Sequence, residues 1–96
     1  MKHASPETLA GMQPLLAELR AFGHLVERTP GSFYLKSKGF LHFHEDPLGI
    51  FADVKLDLEH FTRLCVTSQK EQSVLLEQVR QCLGKIPQSK RIARHV

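Results

Sequence analysis

The sequence predicts an α+β domain: one helix, then an antiparallel meander of four or five strands, then a second helix, with both helices packed on one face of the sheet. Three observations carry this. Apolar residues recur at helical spacing before His24 and after Ser68, and they alternate at a period of two between His24 and Thr67. Short Gly- and Pro-containing turns separate the alternating runs, and short turns join antiparallel strands. Each helix carries a single apolar stripe, so each has one face to bury, and a common sheet face buries both.

Ser5-Pro6-Glu7 opens the first helix with a serine cap, a proline in the first turn and an acid beside the exposed amides. Leu9, Met12, Leu16 and Leu19 form its stripe, with Leu15 and Phe22 beside it. Pro14 lacks an amide hydrogen and crowds the carbonyl four residues back, so with Gly11 it predicts a kink or a second helix starting near Gln13, ending at Gly23. Leu25 to Arg28 and Phe33 to Lys36 read as the first two strands. Between them, Thr29-Pro30-Gly31-Ser32 places proline and glycine where a type II turn requires them. Ser37-Lys38-Gly39 reads as the next turn.

The stretch GFLHFHEDPLGIFADVKL, Gly39 to Leu56, reads as a hairpin around Asp46-Pro47-Leu48-Gly49. Leu41, Phe43, Ile50, Ala52, Val54 and Leu56 share its inward face; Phe40, His42, His44, Phe51, Asp53 and Lys55 share the other. Phe61 to Thr67 supplies the fifth strand, with Thr62, Leu64 and Val66 inward. Ser68-Gln69-Lys70-Glu71 is a capping box, and Leu75, Leu76, Val79, Cys82, Leu83 and Ile86 make the stripe of the helix that follows. Gly84 and Pro87 stop it. Residues 1–86 are expected to form the domain and 87–96 a mobile basic tail.

Net charge is +3, but residues 1–84 carry nine Lys or Arg against all ten acids, and the other four bases lie beyond them. The basicity belongs to the tail, so nucleic-acid contact is expected only there, weak and non-specific. No apolar run approaches the roughly 20 residues that span a bilayer and no secretory pattern opens the chain, so a cytoplasmic protein without membrane contact is expected. Two cysteines without paired spacing, Cys65 and Cys82, read as reduced thiols. No phosphate loop, nucleophile elbow or cofactor motif is present, and no cofactor is expected.

The face left uncovered is where function is expected. With outward residues opposed to outward residues, Tyr34 is placed beside His42, His42 beside Asp53, and Asp53 beside Arg63. Lys36, Phe40, Lys55 and Phe61 form the row on one side; Ser32, His44, Phe51 and Cys65 form the row on the other. Aromatic residues among polar ones favour protein contact, with a partner or with a second copy, through Tyr34, Phe40, His42, His44, Phe51, Asp53, Phe61 and Arg63. The alternative is a metal- or small-molecule-binding protein, or an enzyme, using His42, His44 and Asp53. The His-x-His pair projects two imidazoles from one side of a strand and the aspartate supplies an oxygen, with Cys65 the remaining ligand candidate. An oriented histidine in such a row also suits acid–base work.

GFLHFHEDPLGIFADVKL with the later VTSQKEQSVLLEQVR resembles a signature of small uncharacterised bacterial proteins, which implies no activity. The HFH run followed by a glycine and a later helix is similar to a luciferase-associated domain. That domain's tryptophan-containing stretch has no counterpart here, as the chain has no Trp. The α, antiparallel sheet, α order is similar to frataxin and to the bacterial secretion-chaperone group. The first helix, with only Glu7 and Glu18, lacks frataxin's acidic surface.

Overall fold

A computed structural model describes residues 1–86; the tail expected over 87–96 lies outside the described residues. Along the chain run β1 (Lys2–His3), α1 (Pro6–Ala10), α2 (Gln13–Arg20), β2 (Leu25–Thr29), β3 (Ser32–Leu35), β4 (Lys38–Asp46), β5 (Gly49–Val54), β6 (Thr62–Cys65) and α3 (Gln69–Gly84). The fold is α+β: strands β2 to β6 form an antiparallel meander in chain order, and β1 pairs with β4.

The opening helix is split, as Gly11 and Pro14 predict. Ser5 Oγ accepts from the Thr8 amide at 3.1 Å, and α2 begins at Gln13 with Pro14 in its first turn. The helix ends earlier than expected, capped by Ala21 in helical conformation rather than by Gly23. At the other end of the chain both bonds of the capping box are made: the Glu71 amide donates to Ser68 Oγ at 3.1 Å and the Ser68 amide to Glu71 Oε1 at 2.9 Å. The expected turn at Gly31 also forms. Its φ of +78° is that of the third position of a type II turn, which glycine occupies without steric cost.

One continuous core joins helices to sheet. Leu15, Leu16 and Leu19 of α2 and Leu75, Val79 and Leu83 of α3 belong with Phe33, Leu41, Phe43, Ala52, Val54 and Val66 to the same buried cluster. Thr62, expected inward, is exposed.

Two departures from the expected sheet bear on function. The turn between β3 and β4 centres on Lys36 and Ser37, both at positive φ (52° and 72°), one residue earlier than Ser37-Lys38-Gly39. A bulge follows: Phe33 opposes Leu41 while Tyr34 opposes Gly39, leaving Phe40 without a partner on β3. Phe40 is thereby turned inward and is 1% exposed, beside an equally buried Leu41. The second departure is β1. β4 has nine residues and β3 only four, so the far half of β4 presents unpaired backbone groups on that side. β1 fills part of this edge, Lys2 opposite Glu45 and His3 opposite His44.

Candidate metal centre on the open sheet face

The register across β4, β5 and β6 follows the alternation of the sequence. His42 opposes Asp53 and Asp53 opposes Arg63; His44 opposes Phe51 and Phe51 opposes Cys65. The tight hairpin turn sets the first of these pairs, and the buried inward residues forbid a slip that would expose them.

Asp53 is the hub. Although it lies on the open face it is only 8% exposed, because the side chains around it cover it. Arg63 donates to it through both arms of its guanidinium, Nε to Oδ1 at 2.7 Å and Nη2 to Oδ2 at 2.8 Å. His44 Nε2 lies 3.3 Å from Oδ2 and His42 Nε2 3.6 Å from the same oxygen. The rings of His42 and His44 meet edge to face with centroids 4.8 Å apart. His3, brought in by β1, stacks on His44 at 4.7 Å and lies 6.1 Å from His42. Phe61 closes the opposite side of His42 edge-on at 5.0 Å, and Lys55 Nζ sits 4.9 Å over the Phe61 ring.

The electrostatics follow from this packing. The Arg63 hydrogen bonds hold the Asp53 carboxyl below its ordinary range, against the opposing effect of burial. Burial, with the neighbouring His44, His3 and Arg63, pushes the His42 imidazole down, and the attraction of Asp53 only partly offsets this. These surroundings favour the neutral form of the His42 imidazole. The Nδ1 atom of His44 is buried with no hydrogen-bond partner among the described residues.

Of the residues expected to form the open face, His42, His44, Asp53 and Arg63 are brought together, with Phe51 and Phe61 at their border. Phe40 and Tyr34 are not. Phe40 is a core residue because of the bulge, so it is unavailable for contact. Tyr34 pairs with Gly39 and Val26 rather than standing beside His42, and the Arg28 guanidinium lies over its ring at 4.7 Å. Ser32 pairs with Thr29, and its place next to His44 is taken by His3. Cys65 turns toward Thr67 Oγ1 and Glu71 Oε1, both at 3.4 Å. His3 had no signal of periodicity in the sequence. The one signal that could have found it is the mismatch in length between β3 and β4, which leaves an edge of β4 to be filled.

The ligand atoms of His42, His44 and Asp53 all lie within 4.8 Å of one another. No protein family, curated protein or solved structure matches the chain. Among the described residues no helix is long and apolar enough to cross a membrane.

Proposed function

We propose that the protein is a metal-binding domain whose open sheet face takes a divalent transition ion between His42, His44 and Asp53. The observation that carries this is the convergence of two imidazole nitrogens on one carboxylate oxygen, at 3.3 and 3.6 Å. A tetrahedral ion with bonds of about 2.0–2.1 Å requires its ligands to stand about 3.3 Å apart. The His44 separation, 3.3 Å, meets this and the His42 separation, 3.6 Å, is 0.3 Å longer. The three ligand atoms lie within 4.8 Å of one another, so the two imidazoles draw together when the ion binds.

The donor set suits zinc, or another borderline ion such as cobalt or nickel, since imidazole and carboxylate together favour these over calcium or magnesium. Arg63 is compatible with it. Its fork occupies one lone pair on each carboxylate oxygen and leaves another on Oδ2, while fixing the carboxylate's orientation. The burial that disfavours the charged form of His42 favours the neutral ring whose nitrogen can bind an ion. Three protein ligands leave a fourth position facing solvent, the arrangement in which a bound ion can engage a further molecule.

Calorimetric titration of the full chain, carrying Cys65→Ser to remove a competing thiol, with Zn²⁺ is expected to give one saturable site. Co²⁺ is expected to show the intense visible absorption of a tetrahedral ion. His42→Ala and His44→Ala each weaken binding tenfold or more, while His60→Ala, whose exposed ring contacts Asp57, leaves it unchanged. Binding that is absent, or that survives both histidine substitutions, refutes the proposal.

A second reading, self-association through the same face, rests on Phe61, which is 47% exposed against the His42 ring. With Phe40 in the core, the aromatic patch that would carry it is smaller than the sequence implies.

A further inference from the structure

A cavity of about 270 Å³ opens at the end of the sheet where β3 turns into β4, away from the β4–β5 turn. Leu35, Phe40, Leu58 and Ile86 make its walls, and Lys36, Lys38 and Lys55 stand at its edge. None of His3, His42, His44 and Asp53 lines it; Lys55, which does, also lies over Phe61 at the border of the cluster. Its volume is close to the lower limit of about 300 Å³ typical of small-molecule sites, and an apolar interior with a few charged groups at the mouth is the usual composition of such sites.

Several features of the fold converge to make it. The bulge that removes Phe40 from the open face places this residue, 1% exposed, behind the cavity lining. Gly39, beside it, has nothing within 4 Å of where a Cβ would stand, so the absence of a side chain there keeps space open. The tight turn through Lys36 and Ser37 brings Lys36 and Lys38 to one end, and Lys55 approaches from the start of the segment after β5. Among the described residues no acid lines the cavity. Two acids flank Leu58 in sequence; Asp57 accepts from the Glu59 and His60 amides at 2.8 and 2.7 Å, and neither Asp57 nor Glu59 is a lining residue. An apolar lining with Lys36 and Lys38 beside it, and with Lys55, whose ammonium also lies over the Phe61 ring, is complementary to a molecule with an apolar body and one anionic end. A purely apolar molecule would leave the lysines unused, and a cation would be repelled.

From this geometry we infer that the cavity binds a small amphipathic carboxylate, a free organic acid with a hydrocarbon or aryl body. The apolar body lies against Leu35, Leu58 and Ile86, above the buried Phe40, and the carboxylate meets Lys36, Lys38 and Lys55. Long lysine side chains do this readily, because their stems pack along apolar surface while the ammonium moves at the rim.

Competition on the full chain tests it, with 1-anilinonaphthalene-8-sulfonate as the fluorescent probe and octanoate, octanol and octylammonium as competitors of equal length. Octanoate is expected to displace the probe saturably, at a concentration at least tenfold below that needed for octanol, with octylammonium weaker still. Gly39→Leu, which fills the open space from a residue at ordinary backbone angles, is expected to abolish displacement, with the circular dichroism of the parent retained. If that variant does not fold, the triple Lys36→Gln, Lys38→Gln, Lys55→Gln decides: it is expected to lose the preference for octanoate over octanol. Equal competition by all three ligands, no saturable displacement, or octanoate binding undiminished in a folded variant of either kind overturns the inference. His44→Ala, which tests the metal site and whose ring contacts His3, His42 and Asp53 but neither Phe61 nor a lining residue, is expected to leave octanoate binding unchanged, so the two readings fail separately.

Discussion

Replacing Phe40 by alanine separates the two places this residue can occupy. On the open face the change would remove a contact and little stability. In the core it deletes a ring that is 1% exposed, and Phe→Ala changes at such sites cost about 3–5 kcal/mol, the spread reflecting how far the surroundings collapse. Phe40 already borders an open cavity, so part of the vacated volume joins space that exists, which places the cost near the lower end, about 3 kcal/mol. For a domain of this size each kcal/mol moves the melting midpoint by about 4–8 °C, so a fall of about 12–24 °C is expected. The matched control is Phe61→Ala. That ring is 47% exposed and its remaining interactions, with His42 and Lys55, are of a kind worth under about 1 kcal/mol at a surface. Thermal melts followed by circular dichroism, with urea titrations checking that the slope is unchanged, measure both. A Phe40→Ala loss below about 1 kcal/mol, or one no larger than that of Phe61→Ala, would refute the bulge and with it the cavity wall.

Other expectations are more local. Ser68→Ala removes the side-chain acceptor of the α3 cap and is expected to cost about 1 kcal/mol, read as a drop of a few degrees in the same melt. Gly31→Ala forces a side chain onto φ +78° and into Leu9, for a loss of about 1–2 kcal/mol or more; an unchanged melting point would contradict the turn. Glu27, whose carboxylate accepts from Arg20 and the Gly31 amide, is held below its ordinary range chiefly by the Arg20 hydrogen bonds. Its ionised form therefore contributes stability that is present above the unfolded pKa of about 4.3 and is lost as pH falls through the lower folded value. Melts between pH 6 and pH 2 are expected to fall less steeply for Glu27→Gln than for the parent; parallel curves would rule this out. Phe61→Asp is expected to abolish any dimer seen by sedimentation at the second reading's interface, and a dimer that persists would remove that reading.

Much of this architecture was legible because local signals agreed with one another. Alternation from Leu41 to Val54 with a short turn between its halves allows essentially one register, so the opposition of His42, Asp53 and Arg63 follows from residues that have no part in any site. The same reasoning failed across β3 and β4. A bulge shifts register with no change in composition, and Phe40 is as plausible on an outward face as in a core. A turn displaced by one residue then carried Tyr34 away from His42. His3 was invisible for a different reason: a strand of two residues has no period, and only the length of its partner β4 provides for it. The cavity could not be foreseen, since Leu35, Leu58 and Ile86 are far apart in sequence and each is ordinary where it stands.

The short first strand has a practical consequence. Lys2 and His3 are held by pairing with β4, by the Ala4 amide on the Phe43 carbonyl at 3.1 Å and by the Ser5 amide on Glu45 at 2.8 Å. Whatever is fused ahead of Met1 would emerge beside three imidazoles. An affinity leader of consecutive histidines placed there would compete for the same ion and imitate occupancy of the centre. Purification handles for the titrations therefore belong at the other end of the chain, and a leader left in place would turn a measurement of the protein into a measurement of its tag.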